Sequence, residues 1–195
     1  MAGVKPTRIP GRWREGFALD YHTVSSTYLG DDEYGHPMFD TKRSELGELL
    51  YQLKYRSDTS AIAAMVDAAA GFLAQWKPGV EIVVPVPPSR HDRKLQPVLV
   101  LASALCDRLG IPLADCITRT KEVPELKNVY DYNERLQLIS DAYAVDTTQV
   151  SGHRVLLFDD LYRSGATMDT IASLLLDRGA AEVFALAVTR TRSKS

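Results

Sequence analysis

VLLFDDLYRSGAT, residues 155–167, opens on the apolar run Val155-Leu156-Leu157-Phe158. With Arg154 in front, Arg154–Phe158 reads as a short buried strand. Two adjacent carboxylates, Asp159 and Asp160, follow at its end. Like charges this close raise each other's pKa. The arrangement is tolerable where the acids accept hydrogen bonds from vicinal hydroxyls or lie near a cation. A loop of small residues comes next and leads into a helix predicted over Gly165–Arg178. The N–H groups that open a helix have no partner within it and favour a phosphate. Gly165 lets the backbone approach closely. Ser164 and Thr167 add hydroxyl donors, and Arg163 adds charge. One group thus suits a diol and another a phosphate, about one loop apart, which is the spacing of a phosphorylated ribose. A plain surface turn with an Asp pair as helix cap is the competing reading. Strand, both acids, small loop and helix all in register weigh against it.

Outward from this stretch, strands alternate with helices. Ile82–Val86 is β-branched and closed by Pro87 and Pro88. Leu95–Leu109 reads as a helix stopped by Gly110, and Pro112 precedes a second short apolar segment up to Ile117. Ala142–Val145 and Val183–Val188 read as strands. Met168, Ile171, Leu174 and Leu175 share one face of the helix that Gly179 ends. Such alternation implies a parallel sheet with right-handed crossovers, with ligands beyond the carboxyl ends of its strands. Thr118–Gln137 is long and polar, a length that in a compact domain marks a functional or mobile connection. Nearer the N-terminus, Leu46, Leu49, Leu50 and Leu53 recur at helical spacing, and a second helix is predicted over Ala61–Trp76, capped by Asp58, Thr59 or Ser60. The first 40 residues show no sustained period and are expected to be irregular, with short strands. Their aromatics, Trp13, Phe17, Tyr21, Tyr28, Tyr34 and Phe39, are expected to pack rather than to line a base-binding hood. The chain divides at this level into an N-terminal region, 1–79, and a core, 80–195.

Composition narrows the function classes. The 195 residues are 45% apolar and 25% charged, with net charge -2. That is ordinary soluble composition, and it argues against a polybasic membrane binder and against strong DNA binding by the chain alone. No apolar run reaches the roughly 18 residues of a membrane helix. Met1–Gly11 has no apolar block of the secretory kind. Cys106 and Cys116 form no CxxC, so a zinc site of cysteines alone is excluded, and both are expected to be buried, reduced thiols in the cytoplasm. His22, His36 and His153 lack metal-ligand spacing and read as polar surface. The Asp20–Ser26 stretch contains triad-like residue types but no nucleophile elbow. Arg90, His91, Arg93 and Lys94 put positive charge at a predicted helix start, a conflict with the macrodipole that an anion would relieve. Lys54 and Tyr55, at a helix end, read as scaffold.

On these residues the chain resembles the type I phosphoribosyltransferases. VLLFDDLYRSGAT looks like their phosphoribosyl-pyrophosphate (PRPP) signature. More narrowly, residues 40–192 resemble ComF-type proteins. Leu53-Lys54-Tyr55, the strand ending Val84-Pro85-Val86-Pro87, Arg93 with Leu101-Ala102, Arg135 eight residues before Tyr143, and Gly179-Ala180 with the strand to Thr189-Arg190 carry that likeness. The resemblance implies an α/β type I phosphoribosyltransferase-like fold, a parallel β-sheet flanked by helices with an irregular and helical N-terminal region over it. It implies transfer of a 5-phosphoribosyl group from PRPP to a nitrogenous base, with release of pyrophosphate. It also admits a PRPP- or nucleotide-binding protein without turnover, accessory to DNA uptake or repair.

The roles it implies are specific. Asp159 and Asp160 would be catalytic acids that take the ribose hydroxyls, and Arg163, Ser164, Gly165, Ala166 and Thr167 would hold the 5′-phosphate. Ser89, Arg90 and Arg93 would bind pyrophosphate. A flexible loop with Lys121, Lys127 and Arg135 would close over the reacting centre, Arg135 acting with the catalytic acids. Mg²⁺ would arrive with PRPP, held by ligand oxygens and water rather than by a protein metal site. PRPP and a base would be the partners, and a homodimer is compatible with the sequence. The chain departs from the ComF pattern in four places. The usual Thr-Thr of the phosphate loop is Arg163-Ser164. The Arg-Gly-Phe-Asn-Gln stretch is Arg93-Lys94-Leu95-Gln96-Pro97. An expected Asn is Leu138. The first 40 residues stand where a four-Cys zinc module is common.

Overall fold

A computed structural model of the chain describes residues 3–88, 95–120 and 141–192. In chain order its elements are β1 (Thr7–Arg8), β2 (Glu15–Tyr21), β3 (Thr23–Asp31), β4 (Pro37–Arg43), α1 (Glu45–Arg56) and α2 (Ala61–Trp76). There follow β5 (Ile82–Pro85), α3 (Pro97–Leu109), β6 (Ile117–Arg119), β7 (Tyr143–Val145), β8 (Arg154–Tyr162), α4 (Ala166–Asp177) and β9 (Glu182–Arg190).

The central sheet runs β1-β2-β9-β8-β5, parallel throughout except for the short antiparallel β1. β5, β8 and β9 are buried on both faces over most of their length, as a covered parallel sheet requires. Leu156, Phe158 and Leu186 face α1, α2 and α3, while Val155, Leu157 and Ala185 lie in the core on the α4 side. The alternating α and β pattern of the sequence is therefore a parallel sheet with helices on both faces.

The N-terminal region is the main correction. Most of residues 3–40 lie in strands, β1 to β4, rather than in irregular chain with a few short ones. β2 pairs in parallel with β9 from Glu15↔Phe184 to Tyr21↔Arg190, so a boundary at 79/80 separates a strand from its own sheet. Only Phe17-Ala18-Leu19 is apolar in that segment, too short to show a period. Its burial comes from β9, a partner far away in sequence. Beyond β2, β3 and β4 form a separate two-stranded hairpin. The expectation that the aromatics pack holds for Phe17, which meets Phe72 and Trp76 edge-on at 5.2 and 5.0 Å. It holds for Trp13, which packs against the core on the α4 side. It fails for Tyr28, Tyr34 and Phe39, which are exposed on the hairpin and its turn.

α1 docks on the carboxyl end of β2. The Ser44 hydroxyl accepts from the Gly47 N–H at 3.0 Å and donates to the Tyr21 carbonyl at 2.5 Å. Glu45 and Glu48 in the first turn, and Lys54 and Arg56 in the last, complement the helix dipole. Gly47 sits against the His22 carbonyl, where a Cβ would come within 2.1 Å of its oxygen. At the start of α2, Ser60 makes no side-chain cap. Asp58 accepts from both its N–H and its hydroxyl. Cys106 and Cys116 are free and buried. Among the described residues no helix is long and apolar enough to cross a membrane.

Candidate active site

β8 does not stop at Phe158. It continues to Tyr162, so Asp159 and Asp160 lie within the strand, at its carboxyl end. Strand alternation sends their side chains to opposite faces. Asp160 is buried toward α1, where its Oδ1 accepts from Lys54 Nζ at 2.7 Å. The other carboxylate, Asp159, accepts from the Asp160 N–H at 2.8 Å. Burial first, and then the neighbouring Asp160 carboxylate, push the Asp159 carboxyl up to about 7. Lys54 and the N–H groups of Asp160 and Leu161 pull the other way. The Tyr143 phenol is raised by burial and by the Asp159 charge.

β9 and β2 supply the adjoining wall. Thr189 Oγ1 donates to the Asp160 carbonyl at 3.3 Å and lies 3.4 Å from His22 Nδ1. Burial holds His22 below its ordinary pKa, and Lys54 and Arg43 add to that.

The turn after β8 is shaped by one residue. Gly165, at φ 79°, is the N-cap of α4, and no side chain caps that end. A Cβ on Gly165 would fall 2.3 Å from the Tyr162 hydroxyl, which is itself tied to the Pro10 carbonyl at 3.1 Å. The conformation and the space both demand glycine. The first-turn N–H groups of α4 consequently open toward the same space as the two acids, an arrangement suited to a phosphate.

One cavity of about 450 Å³ gathers these groups: Asp159, Asp160 and the whole Arg163–Thr167 turn. Val86, Pro87 and Pro88 line its other side, which places the end of β5 opposite the turn. Ser89, Arg90 and Arg93 lie outside the described residues, as do Lys121, Lys127 and Arg135. His22, Lys54, Tyr55 and Tyr143 also line the cavity, and none of them was singled out for a site from the sequence. For Lys54 the signal was present. It stands eight and four residues after Leu46 and Leu50, on the helix row that faces the core. A lysine on a buried row demands a buried partner. His22 carried no comparable signal, because its position depends on the pairing of β2 with β9.

Residues 98–195, half of the chain, match the family of the phosphoribosyl transferase domain. No curated protein matches the chain. Among solved structures it is similar to the glutamine PRPP amidotransferase of B. subtilis complexed with ADP and GMP. That pair shares 20% identity with a TM-score of 0.50, over 80% of this chain and 34% of the other. The chain thus spans about a third of the amidotransferase's length. An adenine phosphoribosyltransferase from Saccharomyces cerevisiae gives 11% identity and a TM-score of 0.47, over 84% of each chain. At such identities the amidotransferase speaks for the fold alone. A parallel sheet with helices on both faces, an acidic pair at the carboxyl end of β8 and the family match to residues 98–195 agree, and the chain belongs to the phosphoribosyl transferase domain family, with the type I fold.

Proposed function

We propose that the protein binds PRPP with Mg²⁺ and transfers the 5-phosphoribosyl group to a nitrogenous acceptor, releasing pyrophosphate. One observation carries the reading. The acidic pair at the end of β8 and the uncapped N-terminus of α4 share a single cavity across the Gly165 turn. Asp159 and Asp160 accept hydrogen bonds from the ribose hydroxyls, and the Arg163–Thr167 turn takes the 5′-phosphate on its N–H groups. In the reaction the bond from C1 to pyrophosphate breaks, pyrophosphate leaves with the electron pair, and a bond from the acceptor nitrogen to C1 forms. The acceptor's proton passes to solvent. Positive charge develops on the ribose ring beside two acids, so positioning and electrostatics supply the catalysis and no side-chain nucleophile is needed.

The described donor set suits Mg²⁺ as an ion that comes with its ligand. Among the described residues no group of three His, Cys, Asp or Glu is placed to hold a metal. Of the two site carboxylates, Asp160 is already paired with Lys54. Oxygens of PRPP and water are the natural ligands for such a hard cation. On the resemblance, Ser89, Arg90 and Arg93 take the pyrophosphate, and Lys121, Lys127 and Arg135 close over the centre. Leu53-Lys54-Tyr55 and Val84-Pro85-Val86-Pro87 support a ComF-like placement within the family. The two free, buried thiols support work in a reducing cytoplasm.

A pyrophosphate-release assay with PRPP, Mg²⁺ and a panel of nucleobases and simple amines tests this. Release that needs a base, and that is lost in Asp159→Asn/Asp160→Asn, is expected. PRPP binding without release for every base would favour the binding-protein reading. Neither binding nor release by the folded chain would overturn both.

A further inference from the structure

We propose that Lys54 is a positioning residue of this site: its ammonium, carried on the last turn of α1, clamps the Asp160 carboxylate through Oδ1 and leaves Oδ2 to the ligand. This rests on the reading of Asp160 as a ribose-binding acid. The pair is 2.7 Å long, and its two side chains are only 11% and 12% exposed. Taking two charges this far out of water is expensive, and an apolar pair of similar volume holds a helix to a sheet equally well. Function at the cavity gives the pair a purpose, because both residues line it.

The geometry around Lys54 is that of a fixed arm. α1 is pinned at its other end, where Ser44 bonds to the Tyr21 carbonyl and Gly47 presses on His22. The helix therefore delivers Lys54 at a set height above β8. An ammonium has three donors, and among the described residues Asp160 takes one, which leaves two suited to an anionic ligand. Among the described residues, several elements contribute charged and titratable groups to this field. These groups are Asp159 on β8, Arg163 in the turn, His22 after β2, Arg43 at the end of β4 and Tyr143 on β7. The clamp also makes the two acids unequal. Among the described residues, Asp160 has a direct counter-charge, whereas Asp159 has backbone donors and a more distant Lys54.

The test uses the full chain with Lys54→Met, Lys54→Arg and Asp160→Asn. Calorimetry with PRPP and Mg²⁺ should show Lys54→Met binding about tenfold to a hundredfold more weakly, with Lys54→Arg recovering most of the loss. In the Asp160→Asn background Lys54→Met should add little, because the two residues act as one unit. A purely structural lysine would lower Tm and leave affinity unchanged, which would overturn the proposal. A second measurement needs no ligand. With ¹³C-labelled aspartate, the Asp159 carboxyl titration should move to higher pH in Lys54→Met, because the Lys54 charge holds it down. An unmoved titration would also overturn the proposal. If the titration moves but the parent does not bind PRPP, the clamp stands and the PRPP reading is what fails.

Discussion

Replacing Gly47 with alanine should destabilise the protein, although the same change in an open helix stabilises one. Gly47 lies in the first turn of α1, where a Cβ would stand 2.1 Å from the His22 carbonyl oxygen and 2.9 Å from its carbon. Ordinary contact begins at 3.4 Å, so the helix must move by more than an ångström. The obstacle is backbone at the end of β2 and cannot rotate away. Alanine gains about 1 kcal/mol of helix propensity over glycine. Overpacking of this kind costs about 1–3 kcal/mol. Displacing α1 also strains the Ser44–Tyr21 bond and the Lys54–Asp160 pair, and a hydrogen bond to a charged group contributes about 1.5–3 kcal/mol. The balance is a net loss of about 2–4 kcal/mol, or a fall in Tm of about 5–15 °C at the sensitivity of a domain this size. Gly71, in α2, is the control. No atom lies within 4 Å of its Cβ position, so alanine there keeps the propensity gain and should raise Tm by about 2–4 °C. Calorimetric melts of both variants against the parent read the pair directly. A Gly47→Ala protein as stable as the parent would refute the close docking of α1 on β2. A fall in both variants would show that the His22 contact is not the cause.

Gly165→Ala must hold alanine at φ 79° and 2.3 Å from the Tyr162 hydroxyl, so it should lose more than about 2 kcal/mol and most of its PRPP affinity; unchanged calorimetric binding would contradict the phosphate turn. The Asp159 carboxyl rises from 3.8 to about 7 on folding, so the folded chain holds the extra proton between those values, and its contribution is full below that window and falls as pH rises through it. His22 is held low and acts in the opposite sense below 6.5, so the quantity to follow is the Tm of the parent minus that of Asp159→Asn. That difference should decline from about pH 4 to about pH 7, and a flat difference would contradict the raised Asp159 carboxyl. Burial pushes the thiols of Cys106 and Cys116 up to about 11, so a thiol reagent should label the native chain slowly and the denatured chain at both positions at once. Rapid labelling of the native chain would place a thiol at the surface.

What the sequence revealed and concealed follows from the range of the interactions involved. Val155–Phe158 is apolar enough to need cover on both faces, and the α4 segment has its own apolar face, so both were legible locally. The Gly165 turn was legible because glycine is the residue such a backbone needs. β2 was hidden because seven residues containing Gly16 and two acids carry little local pattern, and the strand exists through its pairing with β9. The same long-range pairing brings His22 to the cavity. The extension of β8 through Asp159 and Asp160 was also hidden, since adjacent acids read as a strand end. They are carried there by pairing with β9 and by the Lys54 counter-charge from α1. The exposed aromatics of the β3–β4 hairpin show the reverse case, in which apolar composition did not entail burial.

The most direct test of the central claim is a calorimetric titration of PRPP with Mg²⁺ into the parent chain and into Asp159→Asn/Asp160→Asn. Binding by the parent that disappears in a folded double variant is the predicted result. No binding by the folded parent would mean that the acidic pair and the Gly165 turn do not form a ribose-phosphate site.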